Sequence, residues 1–246
     1  MLRFYLAYRA LVRAKVHLMR SRQPRLRRNE KRRLAHAFHT YLRLAGRYAA
    51  PGGGALILTH GLSGCGKTTA TQPLVETLGA IRLRSDLERK RMHGLAALAS
   101  SASGPDTGIY SRKASATTYR RLGELARGAL RAGFPVVADA TFLKRAERDA
   151  FRAIAEQIGA PFLILNIHAP QEILRARIAA RLARADDASE ADLAILDRQI
   201  AAREPLTPAE MSVAIDVDGT SPPSRETWRP VIERLRPRCG KESAEL

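Results

Sequence analysis

The 246-residue sequence is long enough for one large domain, or for one ordinary domain with an extension, and its 45% apolar content allows a sizeable core. No run of about eighteen apolar residues occurs, which argues against a membrane-spanning helix. The only cysteines, Cys65 and Cys239, are too few for a disulfide framework. They predict a reducing, cytoplasmic setting.

The formal net charge of +18 is concentrated near the N-terminus. Residues 1–50 contain 14 Lys or Arg and a single acid, Glu30, whereas residues 51–246 contain 28 basic and 23 acidic residues. Such a basic arm is typical of a solvated helical face or of a surface that docks on a partner. Nucleic-acid binding is a less favoured alternative, because few aromatic residues are interleaved with the arginines.

The first two predicted elements are amphipathic helices over residues 2–20 and 29–49. Arginines interrupt the apolar residues of the first helix every few positions, which argues against a signal peptide. The run Pro51-Gly52-Gly53-Gly54 then breaks the chain. We therefore predict a basic helical extension over residues 1–50 and a separate domain over residues 51–246.

Downstream of this break, short apolar runs alternate with helical patterns. The predicted strands cover residues 55–60, 80–83, 134–138, 161–167 and 212–217. The predicted helices cover residues 67–78, 110–131, 144–158 and 170–184, and a capping box at Ser189 opens another helix ending near Pro205. This alternation predicts an α/β fold with a five-stranded parallel sheet covered on both faces, and residues 100–108 are predicted to be a mobile loop.

The turn after the first strand has the pattern GxxxxGK(S/T). Glycines at these positions allow backbone N–H groups to surround a phosphate, and the helix that follows adds its positive end. The lysine can reach the β- and γ-phosphates of a nucleotide, and the first threonine can bind Mg²⁺. The predicted phosphate-binding residues are Gly61, Leu62, Ser63, Gly64, Cys65, Gly66, Lys67, Thr68 and Thr69.

Charged residues at the ends of two further strands favour phosphoryl transfer. Asp86 follows the second strand, where it could accept a proton from an attacking hydroxyl, and Arg84 and Arg89 could hold an anionic substrate. The alternative makes Asp86 a helix N-cap. Asp139 ends the third strand, where it could bind Mg²⁺ or orient a substrate; it could instead cap a turn through Thr141. The residue after Asp139 is Ala140, whereas motor ATPases often have a second acid there.

Arg177, Arg181 and Arg184 share one face of a predicted helix. An acidic pair and a polar loop follow, and a second helix then returns the chain. This arrangement predicts a lid whose arginines stabilise the transferred phosphoryl group. The alternative is an exposed basic helix.

In combination, GLSGCGKTT, IRLRSDLERKR, VVADATFLKRAERDAF and APQEILRARIAAR resemble AAA-type small kinases. These kinases are often fused behind an aminoglycoside-phosphotransferase-like domain. The resemblance covers about residues 55–220 and extends to gluconate kinase, polynucleotide 5′-kinase and zeta-toxin-like kinases. It implies a three-layer P-loop NTPase fold with a five-stranded sheet and a helical lid, and Mg-ATP as the phosphoryl donor.

By similarity to polynucleotide kinase, the resemblance implies that Asp86 is the general base and Arg89 a substrate-phosphate arginine. It likewise implies that Arg177 and Arg181 are lid arginines. Residues 1–50 resemble the last helices of the phosphotransferase-like domain, which implies docking on such a domain or partner. The aminoglycoside-kinase motifs themselves are absent, so aminoglycoside phosphorylation is not implied.

The expected activity is transfer of the γ-phosphoryl group of Mg-ATP to a hydroxyl of a small molecule. The alternatives are a polynucleotide 5′-hydroxyl kinase and a regulatory module that binds and hydrolyses ATP.

Overall fold

A computed structural model describes residues 1–49, 53–99, 101, 103, 107–184, 187–221, 223 and 225–235. They form two compact units that divide between Gly53 and Gly54. Most of the predicted loop at 100–108, the first acid of the pair Asp186-Asp187, and Cys239 lie outside the described residues.

The first unit is a helical hairpin of α1 (Leu2–Ser21) and α2 (Arg28–Ala49), as predicted. Small side chains allow the two helices to approach closely, because Ala7, Ala10 and Ala14 of α1 and Ala45 of α2 are all buried. The larger apolar residues of α1 are exposed instead: Phe4, Tyr5, Tyr8, Leu11, Val12, Val16 and Met19. Docking of a partner on this unit stays a prediction.

The second unit is built on a five-stranded sheet of β1 (Leu56–His60), β2 (Ile81–Arg84), β3 (Val136–Asp139), β4 (Phe162–His168) and β5 (Ala214–Asp218). The strand order is β2-β3-β1-β4-β5, and every pairing is parallel. This confirms the predicted five-stranded parallel sheet. Its central strand β1 is buried at every position, which explains the apolar residues Leu56, Ile57 and Leu58 at its start.

Helices cover both faces of the sheet. On one face, Leu56 and Leu58 pack with α5 (Arg112–Arg131) and α6 (Arg145–Ile158). On the other, Ile57 packs with a second group of helices. That group contains α3 (Lys67–Leu78), α7 (Gln171–Arg184), α8 (Leu193–Ala202) and α10 (Arg225–Leu235). Two short helices complete the described elements, α4 (Ser85–Met92) and α9 (Pro208–Met211), with a 3₁₀ turn at Gly108–Tyr110.

The predicted capping box at Ser189 is wrong. The N-cap of α8 is Asp192, the acidic residue that the predicted box placed three positions into the helix, and its side chain accepts from the Ile195 amide. The capping box lies at Thr207 and Glu210, where it opens α9 with Pro208 in the first turn. Both α9 and α10 are absent from the predicted elements.

Candidate active site

The turn after β1 depends on glycine at two positions. Gly61 has φ = +148°, and a Cβ there would lie 2.2 Å from the Ile167 carbonyl oxygen. Gly64 has φ = +84°, and its Cβ would lie 2.8 Å from the Leu174 carbonyl oxygen of α7. Any side chain would therefore push the loop away from β4 and α7. These glycines fold the turn into the N-terminus of α3, an arrangement that suits an anion.

The Lys67 ammonium closes this loop. Its Nζ donates to the carbonyl oxygens of Gly61, at 3.0 Å, and Leu62, at 2.8 Å. The lysine thus arches back over the phosphate-binding loop, whose Ser63 amide donates to Oε1 of Gln199 at 2.8 Å. Cys65 is buried beneath the loop, so of this residue only the backbone is suited to bind a nucleotide.

Thr68 and Asp139 meet beside the loop. The Thr68 hydroxyl donates to Oδ2 of Asp139 at 2.7 Å, and only 5% of Asp139 is exposed. Burial raises the pKa of Asp139, while the Thr68 hydrogen bond and the positive charge of Lys67 oppose that increase. Because this hydrogen bond joins Asp139 to Thr68, it does not support the alternative in which Asp139 caps a turn through Thr141.

The Thr68–Asp139 pair is also a candidate site for Mg²⁺. Among the described residues, no group of three or more His, Cys, Asp or Glu side chains is placed to hold a metal. Mg²⁺, however, is commonly bound by one or two oxygen ligands from the protein, with water and substrate phosphates supplying the rest. A hydroxyl and a carboxylate at the mouth of a phosphate-binding loop fit this ion.

Asp86 and Arg89 lie on α4, directly after β2. Arg84 is the N-cap of α4, so Asp86 belongs to the first turn and the alternative in which it caps the helix is wrong. Nη1 of Arg89 lies 3.6 Å from the Asp86 carboxylate, and the guanidinium stacks 4.8 Å from the Tyr110 ring centroid. Arg89 is 8% exposed, and its Nε is buried without a hydrogen-bond partner among the described residues.

Arg84 is placed differently from Arg89. Its guanidinium donates to Oδ1 of Asp187 at 2.6 Å. Burial opposes the charged form of Arg84, but the hydrogen bond to Asp187 and the negative charges of Asp187, Asp86 and Asp139 together outweigh burial and raise the arginine's pKa. An anionic substrate would therefore have to compete with Asp187 for Arg84.

A second ion pair joins the same two segments. Lys90 of α4 is 2% exposed, and its Nζ lies 2.9 Å from Oε1 of Glu190. Glu190 also accepts from the amide and hydroxyl of Ser101, at 3.0 and 2.5 Å. Residues 187–190 are thus held by two ion pairs, Arg84–Asp187 at the end of β2 and Lys90–Glu190 on α4. We call these two ion pairs the latch.

The predicted lid arginines bind backbone carbonyls. Arg177 donates to the Gly219 oxygen at 2.7 Å and to the Thr220 oxygen at 3.0 Å, after the last strand. Arg181 donates to the Ala191 oxygen at 2.7 Å. Both side chains fix loops at the rim of the cleft, and their contact with a phosphoryl group stays a prediction.

One cleft of about 1640 Å³ brings most of the predicted site together. Its lining includes Ser63, Gly64, Gly66, Lys67, Thr68, Thr69, Arg84, Asp86, Arg89, Asp139, Arg177, Arg181 and Arg184. Gly61, Leu62 and Cys65 do not line it.

Some residues of the cleft could not be singled out from the sequence. These are Tyr110, Tyr119 and Glu147, which also line the cleft, and Asp187 and Glu190, which form the latch. For the latch, the one available signal in the sequence was the acidic pair directly after the arginine-rich helix.

A parallel five-stranded sheet with a glycine-rich loop between β1 and α3 defines a kinase-like P-loop fold. The sequence profile of the AAA domain family matches residues 56–206, and the chain belongs to this family.

Solved structures agree on the fold. A putative kinase from Chloroflexus aurantiacus has a TM-score of 0.57 at 21% identity, covering 74% of this chain and 98% of its own. A sugar kinase from Janibacter gives 0.53 at 21% identity, covering 75% and 96%. The Mycobacterium tuberculosis APS kinase, solved with AMPPNP and APS, gives 0.51 at 20% identity, covering 75% and 99%.

The relatives that match in sequence are longer than this chain. Uncharacterized proteins of Mycobacterium tuberculosis and Mycobacterium bovis are 28% identical over 241 residues. The match covers 93% of this chain but 44% of theirs, so the chain spans less than half the length of these relatives. Within the described part of the chain, no helix combines the length and apolar character that crossing a membrane requires.

Proposed function

We propose that this protein is an ATP-dependent kinase that transfers the γ-phosphoryl group of Mg-ATP to a hydroxyl of a small molecule. One observation carries the proposal: Lys67, the Thr68–Asp139 pair and Asp86 all line the same cleft. A phosphate cradle alone would serve any nucleotide-binding protein. A separate carboxylate facing the same space supplies what transfer to a hydroxyl requires.

On the donor side, backbone amides between Ser63 and Thr69, the part of the loop that lines the cleft, would surround the phosphates. Lys67 would exchange its two carbonyl contacts for phosphate oxygens, which bind an ammonium more strongly because they are charged. Thr68 and Asp139 would hold Mg²⁺, which when bound supplies positive charge to the β- and γ-phosphates.

On the acceptor side, Asp86 would accept the hydroxyl proton as the hydroxyl oxygen bonds to the γ-phosphorus. The bond from that phosphorus to the β,γ-bridging oxygen breaks, and ADP leaves. Arg177 and Arg181 would stabilise the charge on the moving phosphoryl group, and closure of α7 and α8 would exclude water.

Two considerations favour a small acceptor. The solved structures of similar fold include a sugar kinase and an APS kinase. Arg84 and Asp187 of the latch also line the cleft, and we expect their ion pair to hinder the entry of a polymer.

The test is a transfer assay with γ-labelled ATP and Mg²⁺ against sugars, alditols, nucleosides and 5′-hydroxyl oligonucleotides. We expect label on a small hydroxyl compound, and its loss in Asp86→Asn but not in Asp149→Asn, an exposed carboxylate on α6. Label on the oligonucleotide alone would identify a polynucleotide kinase. If no acceptor is labelled and Asp86→Asn hydrolyses ATP at the wild-type rate, the protein is a regulatory ATP-binding module and the proposal fails.

A further inference from the structure

A second polar group lines the cleft beyond Asp139, and the kinase proposal gives it no task. It consists of Tyr119 on α5, Thr141 after β3 and Glu147 in the first turn of α6. The Tyr119 hydroxyl lies 3.3 Å from Oγ1 of Thr141. The Glu147 carboxylate interacts with the same hydroxyl. We call these three residues the phenol–carboxylate cluster.

The backbone holds the cluster in place at the cost of local strain. Phe142, next to Thr141, has φ = +46°, which bulky residues rarely adopt. Its amide donates to the Tyr119 hydroxyl at 3.3 Å, and its carbonyl accepts from the buried Arg148 at 3.0 Å. Strain that the surroundings enforce in this way is characteristic of binding and catalytic sites.

The chemistry of the cluster favours hydroxyl groups as ligands. Glu147 has no cationic partner within 4 Å among the described residues, although Lys144 and Arg148 lie near enough to lower its pKa. Burial raises the pKa of Glu147, because it outweighs both these charges and the hydrogen bond that the carboxylate accepts from the Lys144 backbone. A carboxylate accepts hydrogen bonds from hydroxyls and repels anions, while the phenol and the threonine hydroxyl can each donate or accept.

The cluster lines the same cleft as Asp86, the proposed proton acceptor. A ligand in this cleft that carries several hydroxyls could therefore place one at Asp86 and another at the cluster. A molecule with a single hydroxyl could contact Asp86 but would have no second hydroxyl for the cluster.

We propose that the acceptor is polyhydroxylated and that a hydroxyl other than the phosphorylated one binds to Glu147 and Tyr119. This inference rests on the proposed kinase function for the identity of the phosphorylated group. Glu147 and Tyr119 are then specificity-determining residues, and the favoured substrate class is sugars and alditols rather than monohydroxylated acids.

The first arm of the test compares labelled transfer to aldoses and alditols with transfer to lactate and serine, which have one hydroxyl and a carboxylate. We expect transfer to a polyol. In Glu147→Gln and Tyr119→Phe, its KM should rise about tenfold to a hundredfold, with the KM for ATP unchanged. Glu156→Gln, an exposed glutamate on the same helix, should leave both constants unchanged. Transfer to lactate or serine alone, or an unchanged polyol KM in both variants, would overturn the inference.

The second arm separates this inference from the kinase proposal. Titration of the same polyols into protein saturated with Mg²⁺ and a non-hydrolysable ATP analogue reports binding without chemistry. Polyol binding that weakens in Glu147→Gln would support the cluster as a polyol site even if no label were transferred. Absence of polyol binding to the wild-type protein would overturn it.

Discussion

The two halves of the cleft are built by different means. The proposed donor half is one continuous stretch, Gly61 to Thr69, in which glycines fix the shape of the loop and the loop leads into the N-terminus of α3. The acceptor half is assembled from side chains on α4, α5, α6 and the 3₁₀ turn.

On the proposed function, this difference would make the donor half general and the acceptor half selective. All nucleoside triphosphates carry the same chain of three phosphates, so a backbone cradle suits them whatever the acceptor. Side chains from separate elements can change without altering the sheet, and they can therefore adapt to different acceptors. The two halves should respond independently to mutation.

The largest expected effect comes from the acceptor half. Asp86→Asn should lower kcat for phosphoryl transfer by about 10²–10⁴-fold, because it removes the proton acceptor. The Kd for Mg-ATP, measured by calorimetry, should stay within about twofold since the amide is isosteric. A comparable loss of ATP affinity would show that the two halves are not independent.

The next largest effect is expected from the buried ion pair that supports the acceptor half. Arg148 and Glu210 are 1% and 3% exposed and form a buried ion pair. Arg148→Met would leave the Glu210 carboxylate buried without its partner and should lower the free energy of unfolding by about 3–5 kcal/mol. Urea denaturation measures this loss, and the double variant with Glu210→Leu should recover part of it. A loss below about 1 kcal/mol would contradict the structural role.

The latch should have a smaller effect. Lys90→Met leaves Glu190 with its Ser101 contacts, so we expect a loss of about 1–3 kcal/mol in unfolding free energy and a higher acceptor KM. Lys113→Met, at an exposed position of α5, is the matched control. If the ATP affinity changed while the acceptor KM did not, the latch would belong to the donor half.

The smallest expected effect is a pH dependence. Burial disfavours the charged form of Glu210, but hydrogen bonds from Arg148 and Thr207 outweigh burial and lower its pKa from 4.5 to about 2. Because the folded-state pKa is lowered, this stabilisation is present above the ordinary value and is lost as the pH falls towards the folded-state pKa. Melting temperatures across this range should decline less steeply in Glu210→Gln than in wild type, whereas Glu233→Gln should match wild type.

The sequence predicted what is local and periodic. The GxxxxGK(S/T) turn is contiguous, and the buried strands β1, β3 and β4 are mostly apolar, so the phosphate-loop motif and the centre of the sheet could both be predicted. Asp86 and Asp139 followed from their places at strand ends.

The acceptor half could be predicted only in part. Tyr119 and Glu147 lie in amphipathic helices, where one polar residue in the pattern resembles any solvated position. The partners of Arg84 and Lys90 are 103 and 100 residues away along the chain, and no local pattern encodes such pairs. Ser189 matched a capping box only by its spacing to Asp192, whereas α8 begins three residues later, with Asp192 itself as the N-cap.

The most direct test of the account is calorimetric titration of Mg-ATP into the wild-type protein, Lys67→Ala and Lys113→Ala. We predict binding by wild type and Lys113→Ala with equal affinity, and a Kd at least about tenfold higher for Lys67→Ala, which loses the charged donor at the loop mouth. Equal affinity in Lys67→Ala, or no binding by the folded wild-type protein, would contradict the assignment of residues 61–69 as the phosphate site.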